Sequence, residues 1–168
     1  MVAVTSSGTA VVTLPTDTQI LITREFAAPK HLVYKAYTTP ELIKRWWNAK
    51  RGEVTVCDVD LRVGGKWRYV MVTADGTEVG FHGQYKEIVP DERLVSTEVF
   101  EGIPVPDGEE EQGTLNTLTL AEVGGRTTLT VLVEAGTQEV RDAIIESGME
   151  AGMQDAMDLL EELAVSLA

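Results

Sequence analysis

The chain has 168 residues, 43% of them hydrophobic, with 27 acidic against 14 basic side chains and a formal charge of −13. That length suits one domain with a sizeable core, and the negative field disfavours nucleic acid and anionic membranes as partners. No apolar run approaches the roughly 18 residues that cross a bilayer, and the start MVAVTSSGTAVVTLP has no basic stretch leading into an apolar one. The cytoplasm is the expected compartment. Cys57 is the sole cysteine, which excludes an intramolecular disulfide and leaves little for a thiolate zinc site.

Residues 1–17 are rich in Ser, Thr, Gly and Val and read as a lead-in, strand-like or flexible, ahead of a domain at 18–168. TQILITREF (18–26) is β-branched and alternating, which predicts a strand. AAPKHLVYKAYT follows, with Pro29 suited to a first helical turn and Leu32, Val33, Ala36 and Tyr37 at helical spacing. TTPELIKRWW predicts a second short helix, with Thr39 as cap, Pro40 at its first position and Leu42, Ile43 and Trp46 on one stripe. Trp47 lies about 100° round that helix from Trp46, so the two indoles must serve different surfaces. Trp46 is expected to pack inward, Trp47 to wedge against a sheet edge or a partner subunit.

From 53 to 135 the pattern changes to short strands and turns. EVTVCDVDL, KWRYVMVT, TEVGFHGQYKEIV, RLVSTEVF, TLNTLTLAEV and RTTLTVLVEA make six, with hairpin signals at Asp75-Gly76 and Gly124-Gly125. The segment EGIPVPDGEEEQG interrupts them as a loop, a candidate lid. Short links between successive strands imply an antiparallel sheet. Residues 137–168 then read as one long helix, with Ile145, Met149, Gly152, Met153, Ala156, Leu160, Leu163 and Leu167 on an apolar stripe. Gly148 and Gly152 each weaken such a helix by about 1 kcal/mol relative to alanine, so close approach of the sheet or room for a ligand is expected beside them. The predicted class is α+β, in the order β-αα-β6-α, with the last helix covering one face of the sheet.

ITREFAAPKHLVYKAYTTPELIKRWW, DLRVGGKWRYVM, FHGQYKEIVPDERLV and GMEAGMQDAMDLLEEL, in that order, resemble the START/SRPBCC helix-grip superfamily. The resemblance covers about residues 18 to 166. Within the superfamily it points to the branch named for homologues of the activator of the heat-shock protein 90 ATPase. It implies a curved antiparallel sheet wrapped around a long C-terminal helix, with an apolar cavity between them. Members bind lipids, sterols or polyketides, and some catalyse cyclisation or hydrolysis. Fold alone does not transfer any of these functions.

Strand parity places Trp67, Tyr69 and Met71 on one face of KWRYVMV, and Phe81 and Tyr85 on the matching face of the next strand. With Trp46, Met149 and Met153, the residues Trp67, Tyr69, Met71 and Phe81 form the expected ligand-binding set, although a plain aromatic and methionine core would use the same residue types. Parity turns His82 outward, and His31 is expected to face solvent. Neither has metal-pair spacing, and Glu109, Glu110 and Glu111 lack the spacing of a calcium loop. No metal, cofactor or catalytic constellation is indicated, and Glu98, a potential acid or base, sits on a strand without clean parity. Three functions follow in order. The first is a carrier or sensor for a small hydrophobic or aromatic molecule, as a monomer or weak homodimer. The second is a polyketide cyclase-like or hydrolase-type enzyme using polar cavity residues. Last comes a co-chaperone acting on heat-shock protein 90, because that activator's additional domain finds no room in this length.

Overall fold

The computed structural model describes residues 10–102 and 113–168. Strand β1 (Val11–Thr13) lies in the lead-in and pairs with β2 (Gln19–Phe26). Helices α1 (Lys30–Thr38) and α2 (Pro40–Ile43) follow. The six predicted strands are β3 (Gly52–Val59), β4 (Lys66–Thr73), β5 (Glu78–Val89), β6 (Arg93–Phe100), β7 (Thr114–Val123) and β8 (Arg126–Glu134). All pair antiparallel in one curved sheet, ordered β1-β2-β8-β7-β6-β5-β4-β3. The fold is α+β of helix-grip type. The hairpin signals hold because Gly76, Gly124 and Gly125 carry the positive φ those turns demand. The bulk of the acidic loop, residues 103–112, lies outside the described residues, so the lid expectation has no structural counterpart here.

The C-terminal segment departs from the single helix expected. It is two helices, α3 (Gln138–Glu146) and α4 (Met149–Ser166), separated by Gly148 at φ 82°. Ser147 donates its hydroxyl to the Ile144 carbonyl and so competes with continued helix, and the left-handed Gly148 then turns the chain. Thr137 caps α3 by accepting from the Val140 amide at 3.1 Å. Neither glycine marks the closest approach of the sheet, since a Cβ at Gly148 or Gly152 would meet nothing within 4 Å. The buried part of the stripe is accordingly restricted to Met157, Leu160, Leu163 and Ala164 in the second half of α4. These pack with Ile20, Ile22, Leu118, Leu129 and Val131 of the sheet and Val33 and Ala36 of α1.

Polar contacts tie α4 to both edges of the sheet. Near β1, the Gln154 amide donates to the Ala10 carbonyl (2.8 Å) and accepts from its amide (2.9 Å), as a neighbouring strand would. At the opposite edge, Arg51 beside β3 bonds Asp155 at 2.8 Å. Arg24 of β2, only 3% exposed, lies between Asp158 (3.0 Å) and Glu161 (3.1 Å), with its guanidinium 5.1 Å from the Phe26 ring centre. A buried arginine requires such neutralisation, because an unpaired interior charge is strongly destabilising. The sheet's two edges therefore reach the same helix.

Candidate functional site

Trp46 and Trp47 occupy different addresses, as their angular separation demands, and Trp46 packs inward as expected. Trp46 is 7% exposed, donates its indole N–H to the Ala36 carbonyl at 2.9 Å and packs 5.1 Å from the Tyr37 ring. It closes the α1–α2 core. Trp47, expected against a sheet edge or a partner subunit, instead meets the inner face of the sheet edge-on, 5.5 Å from Tyr69 and 5.9 Å from Phe81. The cause is the shortness of α2, which ends at Ile43; the turns that follow carry the second indole over β4 and β5. Trp47 takes the place near the strand aromatics that the sequence gave to Trp46.

Around Trp47 the strand aromatics gather as parity predicts. The rings of Trp67 and Tyr69 are 4.7 Å apart, and those of Phe81 and Phe100 5.2 Å. Trp67 and Met71 are buried, while Tyr69 and Phe81 keep accessible surface. Met149 and Met153 are partly buried against the core from the first turns of α4. Gly83 admits Trp67 and β6 to close approach. A Cβ there would stand 2.7 Å from the Trp67 indole nitrogen and 1.8 Å from the Thr97 carbonyl oxygen.

Register shows what lies beside the aromatics. Across the inner face, Tyr85 pairs with Ser96, Ser96 with Asn116 and Asn116 with Val133. The neighbouring row runs from Trp67 to Gly83 and, by the same β5–β6 register, to Glu98 and then Thr114. Glu98 shares its parity with the core residue Leu94, and Asn116 with Leu118 and Leu120, so both point inward. The Thr114 hydroxyl donates to the Asn116 side-chain oxygen at 2.8 Å, beside Glu98, which pairs with Thr114 across the strands. Burial raises the Glu98 carboxyl above its usual value, against the opposing effect of the Asn116 amide.

Tyr37 is electrostatically coupled to this carboxyl: burial raises Tyr37 first, with Glu98 and Tyr85 adding to it. Burial likewise raises Tyr69, and it pushes Tyr85 up to about 12. Tyr37, Tyr69, Glu98 and Asn116 nevertheless keep part of their surface accessible. The sequence missed Tyr37, Asn116 and Trp47 as neighbours of the strand aromatics and Glu98 on this inward face. Asn116 was detectable, because it shares parity with Leu118 and Leu120. Glu98 was not, because Val95, Thr97 and Val99 look as suitable for the interior as Leu94 and Ser96.

Other chemistry on the molecule is weaker. Burial pushes the Cys57 thiol up to about 11, which disfavours the thiolate a nucleophile needs. His82 faces outward as parity required, 2.8 Å from Glu101, which also receives a two-pronged contact from Arg68. Arg68 and His82 hold the Glu101 carboxyl down at about 2. A hollow of about 300 Å³ beside His82 is bordered by Trp67, and one of about 420 Å³ lies between Lys50 and Thr73. Neither is lined by the other expected ligand residues. Among the described residues no group of three or more His, Cys, Asp and Glu side chains could hold a metal ion.

Comparison with known proteins matches residues 27–164 to the family described as activator of Hsp90 ATPase homolog 1-like protein. The chain belongs to this family. Solved structures of similar fold include a protein from Rhodobacter sphaeroides, 29% identical over 94% of this chain and 98% of its own, with a TM-score of 0.81. A protein from Nitrosomonas europaea is 26% identical over 91% and 97% of the two chains, with a TM-score of 0.79. One from Arthrobacter aurescens is 25% identical over 92% and 91%, at 0.80. No curated protein matches the chain. Among the described residues of this activator-of-Hsp90-ATPase-like chain, no helix is long and apolar enough to cross a membrane.

Proposed function

We propose that the protein binds a small, largely apolar or aromatic molecule between the inner face of the sheet and α4, acting in the cytoplasm as a carrier or sensor. The observation that supports this is the band of deep but accessible side chains, with Trp47, Tyr69 and Phe81 as an aromatic wall and Met149 and Met153 at one end. Apolar walls with few orienting polar groups suit such ligands. The charge of −13 argues against nucleic acid and anionic membrane surfaces as partners. As a solution state we favour a monomer or weak homodimer, which a sedimentation series over protein concentration resolves.

The test is a titration with the neutral fluorophore N-phenyl-1-naphthylamine, which brightens in apolar surroundings. Saturable binding is expected, with energy transfer from Trp47 that falls in Trp47→Phe. Emission unchanged up to probe saturation in water refutes the reading. A second reading, an acid–base enzyme of the cyclase or hydrolase kind, draws support from the inward Glu98 with its raised carboxyl. Turnover of a bound carbonyl compound that is abolished by Glu98→Gln while binding persists would favour it over the carrier.

A further inference from the structure

We infer that Glu98 and Asn116 form a polar pole in this space that hydrogen-bonds a hydroxyl or carbonyl group of an uncharged ligand and rejects ligands carrying a carboxylate. This rests on the cavity reading above and specifies the ligand class. The geometry is directional. Thr114 occupies the Asn116 side-chain oxygen, so the Asn116 amide is left to donate on the inward face that it shares with Glu98 by register. The Glu98 carboxyl can both accept and, when protonated, donate, which suits a hydroxyl or carbonyl guest. The same row ends in the Trp67 indole N–H, which lies over Gly83 and has no hydrogen-bond partner among the described residues. Rows on either side are aromatic or aliphatic: Tyr69 and Phe81 toward the open end, Leu94, Leu118 and Val131 toward α4. A guest with one polar end and an apolar body matches that pattern.

The exclusion of anions follows from charge. No lysine or arginine contributes to the ionisation of Glu98; burial and Asn116 account for it. Arg24, an inward cation, is held by Asp158 and Glu161. A carboxylate guest would enter without a counter-ion and face a carboxyl, which costs far more than burying a hydroxyl with a partner. Fatty-acid anions are thus the wrong class, and neutral phenols, alcohols and ketones the right one.

The test displaces bound N-phenyl-1-naphthylamine with three competitors of one skeleton: 2-naphthol, 2-methylnaphthalene and 2-naphthoate. One satisfied hydrogen bond predicts that 2-naphthol binds about tenfold tighter than 2-methylnaphthalene, and a buried unpaired charge that 2-naphthoate binds at least about 100-fold weaker than 2-naphthol. Glu98→Leu should erase the naphthol advantage to within about threefold while the probe still binds, and Glu98→Gln should retain it. Asn116→Leu carries the expectation of Glu98→Leu if that variant does not fold. Equal affinity for 2-naphthol and 2-methylnaphthalene, or a naphthol advantage that survives both leucine variants, overturns the pole while leaving the cavity intact. Tight binding of 2-naphthoate overturns the exclusion of anions. Failure of the probe itself to bind wild-type protein refutes the cavity reading, and the pole with it.

Discussion

Replacing Gly83 with alanine should damage the protein far more than a single methyl group suggests. The new Cβ would lie 1.8 Å from the Thr97 carbonyl oxygen and 2.7 Å from its carbon, whereas real Cβ contacts essentially never fall below 3.0 Å. The obstructing atoms are backbone, so β5 and β6 must separate by more than 1 Å locally. Overpacking of this kind costs about 1–3 kcal/mol, and each ladder hydrogen bond lost with it about 1 kcal/mol. With one or two such bonds disturbed, the loss is about 2–5 kcal/mol, a large part of the 5–15 kcal/mol typical of a domain. The Trp67 indole, 2.7 Å from the same position, must also shift, so its emission should change in the folded protein. Urea unfolding followed by far-ultraviolet circular dichroism measures the stability independently of the tryptophans. A loss below about 1 kcal/mol, with unaltered folded-state fluorescence, refutes the argument that Gly83 is fixed by close approach.

Glycines on the C-terminal segment should respond with opposite signs. Gly148→Ala should cost about 1–2 kcal/mol through its φ of 82° alone, while Gly152→Ala, in open space within α4, should gain about 1 kcal/mol; urea midpoints moving the same way would refute the assigned break. Trp46→Phe should lose about 1–3 kcal/mol by leaving the buried Ala36 carbonyl without its indole donor, which thermal unfolding reads directly. For Glu98 the folded carboxyl is raised above the unfolded value near 4.5, so the native state holds its proton longer. Its stability contribution is complete below that value and declines as pH rises through the folded pKa. Glu98→Gln should therefore raise the melting temperature at neutral pH and leave it nearly unchanged at pH about 4. Superimposable pH–stability curves for the two proteins would show that Glu98 is not desolvated.

Local chemistry determined much of this fold. Asp75-Gly76 and Gly124-Gly125 set their hairpins because positive φ is a property of the residue, and Pro40 opens α2 because its missing amide proton is not needed there. Strand parity likewise put Trp67, Tyr69, Met71, Phe81 and Tyr85 on a common face without knowledge of the strand order. The Ser147-Gly148 break was present in the letters too, but the apolar stripe running past it outweighed two residues. Tertiary structure alone decided which indole meets the sheet, because a turn after Ile43 rotates Trp47 in a way no helical wheel describes. It alone decided that Glu98 points inward, since both faces of β6 carry apolar side chains and only pairing with β5 and β7 selects one. The physical division is one of range. Backbone preferences act within a few residues, whereas the depth of a carboxyl and the partners it finds depend on strands far apart in the chain.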